Sequence, residues 1–342
     1  MSGIEDVARG AGVSKATASR ALTGHGYVAA ATRARVRRVA EELGYVPSSS
    51  ASSLATGRTR NIGVVMPYLN RWFFAEVLEG VQAVLLAEGF DLTLYDAKPG
   101  TEGRRRVFED FLARKRFDGL IAVALEPDDH ELERLVGIGR PVVSVVSDSE
   151  EASVVRLDDV HAARRATAHL IDLGHERITF LGGVSDHDGP HVDRERLGGY
   201  LSCMRGAGLD PRHIPSDVSL PGGYDAAVDL LSDPERRPTA LVAACDEVAI
   251  GAIIAARRLG IAVPSALSVV GIDNHEYSDM FGLTTLEQSP REQGAAAAEL
   301  LLEQVRAPDA ARTEMRLQAR LIVRGSTSPP PGVRSVAVGA VP

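Results

Sequence analysis

Cysteine is almost absent from this 342-residue chain. Cys203 and Cys245 stand alone, and neither falls in a CxxC or Cys/His spacing. That excludes a disulfide framework and a zinc module, and leaves buried free thiols as the expectation. Nor does any run approach the ~18 uninterrupted apolar residues of a membrane span. The first ten residues carry Glu5, Asp6 and Arg9 and no apolar stretch, which argues against a secretory signal and for a cytoplasmic protein. There is no GxSxG, and His130-Glu131 lacks the second histidine of HExxH, so no catalytic set stands out and no enzyme is expected. Lysine is scarce: Lys15, Lys98 and Lys115 are the only three, and arginine carries the rest of the positive charge.

The charge that is present is unevenly distributed. The net charge of −8 disfavours nucleic acid as a partner. Residues 1–60, however, hold nine Lys/Arg against four Asp/Glu, so they carry +5 and the remainder carries −13. A basic head on an acidic body is the electrostatic footprint of a protein that meets phosphate with one end only.

That head reads as three helices. Residues Ile4–Ala11 form the first. Gly12 makes a turn, and Ser14 is a suitable N-cap for a second helix ending near Leu22. Val7, Ala8, Val13, Ala18 and Leu22 can close a small core, and small residues let the helices cross tightly, a helix-turn-helix pattern. A third helix runs from Ala31 to Leu43, its apolar stripe Val36, Val39, Ala40 and Leu43 lying away from most of the arginines. Gly24, Gly26 and Ala29 match GxGxxA, but they follow a helix and no βαβ unit surrounds them, so a dinucleotide site is not expected.

From Asn61 onward strands and helices alternate. Strands are expected at Ile62–Met66, Phe90–Tyr95, Gly119–Ala124 and Val142–Val146, with helices at Phe74–Glu88, Gly103–Arg116 and His130–Gly137. A second series has helices at His161–Leu173, Arg194–Gly206, Ala226–Leu231 and Val248–Leu259, and strands at Ile178–Leu181, Ala240–Ala244 and Val269–Ile272. A helix Gln293–Val305 and a strand Leu321–Arg324 close the fold, and the Ser/Pro/Gly-rich chain beyond reads as a disordered tail. Such alternation means parallel sheets with helices on both faces, in two similar lobes with a cleft between them. The overall expectation is an α/β protein with a helix-turn-helix head.

The stretches IEDVARGAGVSKATASRAL (Ile4–Leu22), TRARVRRVAEELGYVP (Thr32–Pro47) and SLATGRTRNIGVV (Ser53–Val65) resemble the lactose/galactose-repressor (LacI/GalR) family. HLIDLGHERITFLGG (His169–Gly183), CDEVAIGAI (Cys245–Ile253) and GIDN (Gly271–Asn274) carry the resemblance through the body. It implies a helix-turn-helix head over 1–46, a hinge over 47–60 and an effector domain like the periplasmic binding proteins. In that domain the N-terminal lobe takes 61–159 and 289–318, the C-terminal lobe 160–288 and 319–325, and 326–342 is the tail. It further implies a homodimeric repressor of operator DNA, an inverted repeat with a CpG-like centre.

By that resemblance the second helix enters the major groove. Lys15, Ala16 and Arg20 face bases there, Thr17 and Ser19 lie near phosphates, and Arg20 can reach a guanine edge bidentately. In the hinge, Ala51 is a packing position and Leu54 the residue that wedges into the minor groove. Ser50 and Ser52 replace larger residues, which makes this hinge harder to order. Ala29 stands where a capping serine is common.

Between the lobes, the resemblance puts Arg196, Asp273 and Asp246 on a small-molecule effector. Cys245 replaces a usual asparagine, and Val146 a frequent aspartate, with Asp148 close by. Phe73 and Trp72 lie at the cleft mouth and offer a face for a sugar ring. No cofactor is implied. Asp186, His187, Asp188, His191 and Asp193 cluster before Arg196, but in a Gly-Pro loop better suited to gating than to metal binding. Two alternatives stay open at this level. One is a sugar receptor without DNA function, the other an enzyme on a doubly wound fold. The basic head opposes the first, the missing phosphate loop the second.

Overall fold

The computed structural model describes residues 3–24, 26–45, 57–183 and 190–332. The hinge positions Ala51 and Leu54, the loop residues Asp186, His187 and Asp188, and the chain beyond 332 lie outside the described residues.

Three helices make the head: α1 (Ile4–Gly10), α2 (Lys15–Thr23) and α3 (Ala30–Glu42). The Ser14 hydroxyl accepts from the Thr17 amide at 3.1 Å, which starts α2, and Gly24 ends it at φ 79°, a conformation that suits glycine. Val7, Ala18, Ala21 and Val36 are completely buried between the three. Ala29 offers α3 no side-chain cap, as expected. The GxGxxA stretch joins two helices, so it has no strand to present a dinucleotide.

The first sheet is built from β1 (Asn61–Met66), β2 (Asp91–Asp96), β3 (Gly119–Val123), β4 (Val142–Val145) and β5 (Ser153–Leu157). Helices α4 (Trp72–Ala87), α5 (Glu102–Arg106) and α6 (Asp129–Gly137) connect them. The expected helix Gly103–Arg116 is broken: after α5 the chain takes a π turn, Val107–Phe111, and a 3-10 turn, Leu112–Arg114. The looser turn still buries Val107, Phe108 and Leu112 against the sheet.

The second sheet takes β6 (Ile178–Leu181), β7 (Arg212–Ile214), β8 (Ala240–Ala243), β9 (Ser268–Asp273) and β10 (Thr284–Glu287). Its helices are α7 (Asp159–Asp172), α8 (His191–Gly206), α9 (Leu220–Ser232) and α10 (Asp246–Arg258). The chain then returns through α11 (Pro290–Arg306) and β11 (Glu314–Leu317) to the first sheet, and through β12 (Arg320–Ile322) to the second. Strand orders are β11-β5-β4-β3-β1-β2 and β12-β10-β9-β8-β6-β7. All pairings are parallel except β10 with β12. Thus three segments cross between lobes: β5 to α7, β10 to α11, and β11 to β12.

Helix α11 packs on β3, β4 and β5 and against α4. The last contact is backbone-close. A Cβ on Gly294 would lie 2.1 Å from the Val77 carbonyl oxygen, and one on Gly80 2.0 Å from that of Arg291. Only glycine fits at such a crossing.

The expected tail starts later than Gly325. Ser326 is buried, its hydroxyl donating to the Val269 carbonyl at 2.6 Å and accepting from the Thr284 amide at 2.8 Å. The Ser328 carbonyl meets the His175 ring at 2.8 Å. Hydrogen bonds in a buried seam, rather than composition, decide where order ends. No described helix is long and apolar enough to cross a membrane.

Candidate functional site

Two surfaces concentrate the predicted residues. On the head, α2 exposes Lys15, Ala16 and Arg20, with Thr17 and Ser19 half-buried beside them. Lys15 Nζ rests 2.9 Å from Glu5, and Arg20 Nε donates to the Ala16 carbonyl at 3.2 Å. Both partners are exposed and give way easily to phosphate or a base edge.

The other surface is the cleft. It holds a cavity of about 950 Å³ bordered by both lobes. Its floor is formed by the carboxyl ends of the strands, where Ala124 (φ 45°), Val146 (φ 80°) and Asp273 (φ 150°) take backbone conformations L-residues avoid. Each costs on the order of 1–3 kcal/mol, and such residues cluster at ligand sites.

Arg196 and Asp273 both border this cavity, as do Trp72 and Phe73. Arg196 is almost fully buried. Its Nε donates to Asp159 Oδ1 at 2.6 Å and its Nη1 to the Ala244 carbonyl at 2.7 Å, while Asp273 is 4.0 Å away. Burial opposes the Arg196 charge, but the two aspartates hold it firmly protonated. Burial also dominates at Asp273, whose carboxyl is pushed up to about 8: the Arg196 pull is outweighed, and Asp246 adds to the rise. The Gln288 amide donates to Asp273 Oδ1. Trp72 on the first lobe packs against His275 on the second, ring centroids 4.8 Å apart, and so spans the cleft mouth.

Asp246 corrects the sequence expectation. Its carboxylate is wholly buried and does not border the cavity. It accepts from the His275 amide at 2.9 Å, the Ser278 hydroxyl at 2.5 Å and the Thr285 hydroxyl at 2.6 Å. With three hydrogen bonds accepted it organises the β9–β10 loop. Asp148 likewise faces outward, 3.9 Å from Arg156. The Cys245 thiol borders the cavity, and burial pushes it well up, so it is an inert neutral wall. Cys203 is only half-buried, and both cysteines are free. His191 begins α8, its Nε2 3.2 Å from Glu195 and 3.3 Å from Arg156. Among the described residues no group of three or more His, Cys, Asp or Glu is placed to hold a metal ion.

Among the cavity residues that escaped the sequence reading are Asp159, His275, Gln288 and Gln293. Asp159 follows β5, a strand that reading did not assign, so no strand-end position pointed to it. Gln288 follows β10, which was missed for the same reason.

With this geometry in view, comparison with known proteins is direct. Residues 3–48 match the model of bacterial regulatory proteins of the lacI family, and residues 167–327 that of the periplasmic binding protein-like domain. The transcriptional repressor PurR of Vibrio campbellii is 32% identical over 95% of this chain and 98% of its own. The chain belongs to the LacI family. The regulator also superposes on the lac repressor dimer bound to operator and an anti-inducer, with TM-score 0.85, 26% identity, and 96% of this chain and 99% of that one covered. A LacI-family regulator from Enterococcus faecium with bound ribose gives TM-score 0.71 at 27% identity, over 79% of this chain and 99% of that one. The protein is therefore a DNA-binding transcriptional regulator with an effector-binding body, and not an enzyme.

Proposed function

We propose that this regulator is a homodimeric repressor whose grip on an inverted-repeat operator is set by a polyhydroxylated small molecule, a sugar, in the cleft. The observation that carries the reading is the joint placement of Arg196, Asp273, Trp72 and Phe73 around one cavity shared by both lobes. Charged groups bind vicinal hydroxyls, and aromatic faces take the C–H side of a sugar ring. The ribose complex of a relative supports the class of ligand, and the operator-bound lac repressor dimer supports the assembly.

On DNA, α2 lies in the major groove with Lys15, Ala16 and Arg20 toward bases and Thr17 and Ser19 toward phosphates. Two hinges pair over the centre, with Ala51 packing and Leu54 wedging. We assign residues 1–46 to the head and 47–60 to the hinge. The N-terminal lobe takes 61–159 with 289–318, and the C-terminal lobe takes 160–288 with a return that extends at least through Ser328. A ligand that favours a lobe arrangement incompatible with paired hinges releases the operator, and we assign the effector that inducing role.

Selection from random duplexes tests the reading. It should return sites with two-fold symmetry, and a sugar from a screened panel should weaken binding to them. Asymmetric sites would contradict the two-fold dimer on an inverted repeat, and binding to no duplex would leave the receptor alternative standing.

A further inference from the structure

The cavity is acidic. Nine acidic side chains, the protonated Asp273 among them, border it against four guanidinium groups. Three of those four are already ion-paired. Arg196 is held by Asp159, Arg104 is paired with Glu131 at 2.6 Å, and Arg105 is paired with Glu102 and Glu109. The Arg71 guanidinium lies over the Tyr68 ring, 4.1 Å from its centroid. A phosphate or carboxylate on the ligand would enter a field of its own sign and find three of its four usual partners occupied.

A second observation lies deeper in the same cavity. Gln293 sits in the first turn of α11, is completely buried and borders the space. Its Nε2 donates to the Gln288 carbonyl at 2.7 Å, which fixes the orientation of the amide. Among the described residues its Oε1 is left buried without any partner. An orphaned acceptor in a buried wall is costly unless something supplies a donor. Gln293 Nε2 also lies 3.4 Å from Gln288 Oε1, and the Gln288 amide in turn donates to Asp273. The orphaned acceptor therefore belongs to the same buried network as the Asp273 carboxyl.

We propose that the cleft selects a ligand bearing a protonated amine, an amino sugar within the reading above, and that Gln293 Oε1 is one of its acceptors. This rests on the sugar reading for the ring and on the cavity's own charge for the amine. A hydroxyl can satisfy one acceptor. An ammonium satisfies up to three and complements the excess of carboxylates.

The test titrates the full chain with glucose, glucosamine and glucose 6-phosphate, the galactose counterparts, ribose, and putrescine as an amine without a ring. An amino sugar should bind more tightly than its neutral parent by roughly tenfold or more, as a charge-assisted hydrogen bond predicts, and the phosphorylated forms should be weakest. A neutral or phosphorylated sugar binding tightest would overturn the amine inference and keep the sugar reading. Putrescine alone binding would overturn the sugar reading and keep the charge selection. Silence across the whole panel would overturn both. Gln293→Met, close in volume, should fold and shrink the preference of amine over hydroxyl severalfold. An unchanged preference in that variant would remove Gln293 from the site.

Discussion

Asp273 and Asp246 are 27 positions apart, both buried, and both carboxylates, yet their environments give them different work. Asp246 has three hydrogen-bond donors of its own. Asp273 has the Gln288 amide, a long contact to the Asp246 amide and Arg196 at 4.0 Å, and it faces the cavity. Asp246→Ala should therefore act on stability. It strands a buried amide and two buried hydroxyls, at a cost of about 1–3 kcal/mol for each group left unsatisfied, and lowers the Tm. Calorimetric scanning of the variant checks this. Asp273→Asn should instead change the pH dependence. Its carboxyl moves from the usual 3.8 to about 8 on folding, so the folded chain holds a proton that the unfolded chain has lost. Stability is full below the unfolded value, and falls as pH rises toward and through 8. Replacing Asp273 with Asn should flatten that decline, and Tm measured from pH 5 to 9 reads it. A slope identical to that of the unaltered protein would show that Asp273 ionises freely. The residue types at Arg196 and Asp273 were legible from their motifs. The partner Asp159 and the turn of Asp246 away from the cavity were not, because no sequence pattern says which way a carboxylate faces once its neighbours fold over it.

At the level of elements, the strands and helices with strong periodicity were read within a few residues. Two of the missed strands share a physical cause. β7 has three residues, all half-buried, and β11 is mostly exposed, so neither has an apolar run to announce it. β5 is fully buried but reads SVVRL, with a buried Arg156 whose hydrogen-bond partners Glu314 and Glu195 are distant in sequence. The interruption after α5 was illegible for a similar reason: its apolar positions fit a helix, and only packing selects the π turn. The crossing of α4 and α11 gives a prediction at this scale. Gly294→Ala sets a methyl 2.1 Å from a backbone oxygen and should cost more than about 3 kcal/mol, since neither helix can yield without moving the sheet below. Gly198→Ala, where nothing lies within 4 Å, should instead stabilise by about 0.5–1 kcal/mol. Denaturant midpoints for the pair decide it: equal effects would mean that the crossing is not tight.

Over the whole molecule, a basic three-helix head is followed by a serine-rich stretch of sequence, which we assign as the hinge, and by two lobes linked by three crossings. A change at the cleft that shifts one lobe against the other must pass through those crossings, and the first lobe leads directly to the hinge at β1. The two-lobe plan and the head were both legible in the alternation and charge of the sequence. The ligand was not, because its identity depends on side chains brought together from six or more segments. In this arrangement Leu54→Ala should weaken binding to a selected operator while leaving nonspecific binding to duplex nearly intact, since the phosphate contacts remain. Competition titrations against random duplex separate the two.

Coupling between cleft and operator is the central claim, and it is reciprocal by necessity. The direct measurement is operator affinity, by anisotropy of a labelled selected duplex, with and without the tightest-binding member of the sugar panel. It is made for the unaltered protein and for the variant carrying Arg196→Ala and Asp273→Ala. The ligand should shift the unaltered protein's affinity by roughly 5–150-fold, and the variant should bind DNA as tightly but show no shift. A variant that still responds fully would place the effector somewhere other than this cleft.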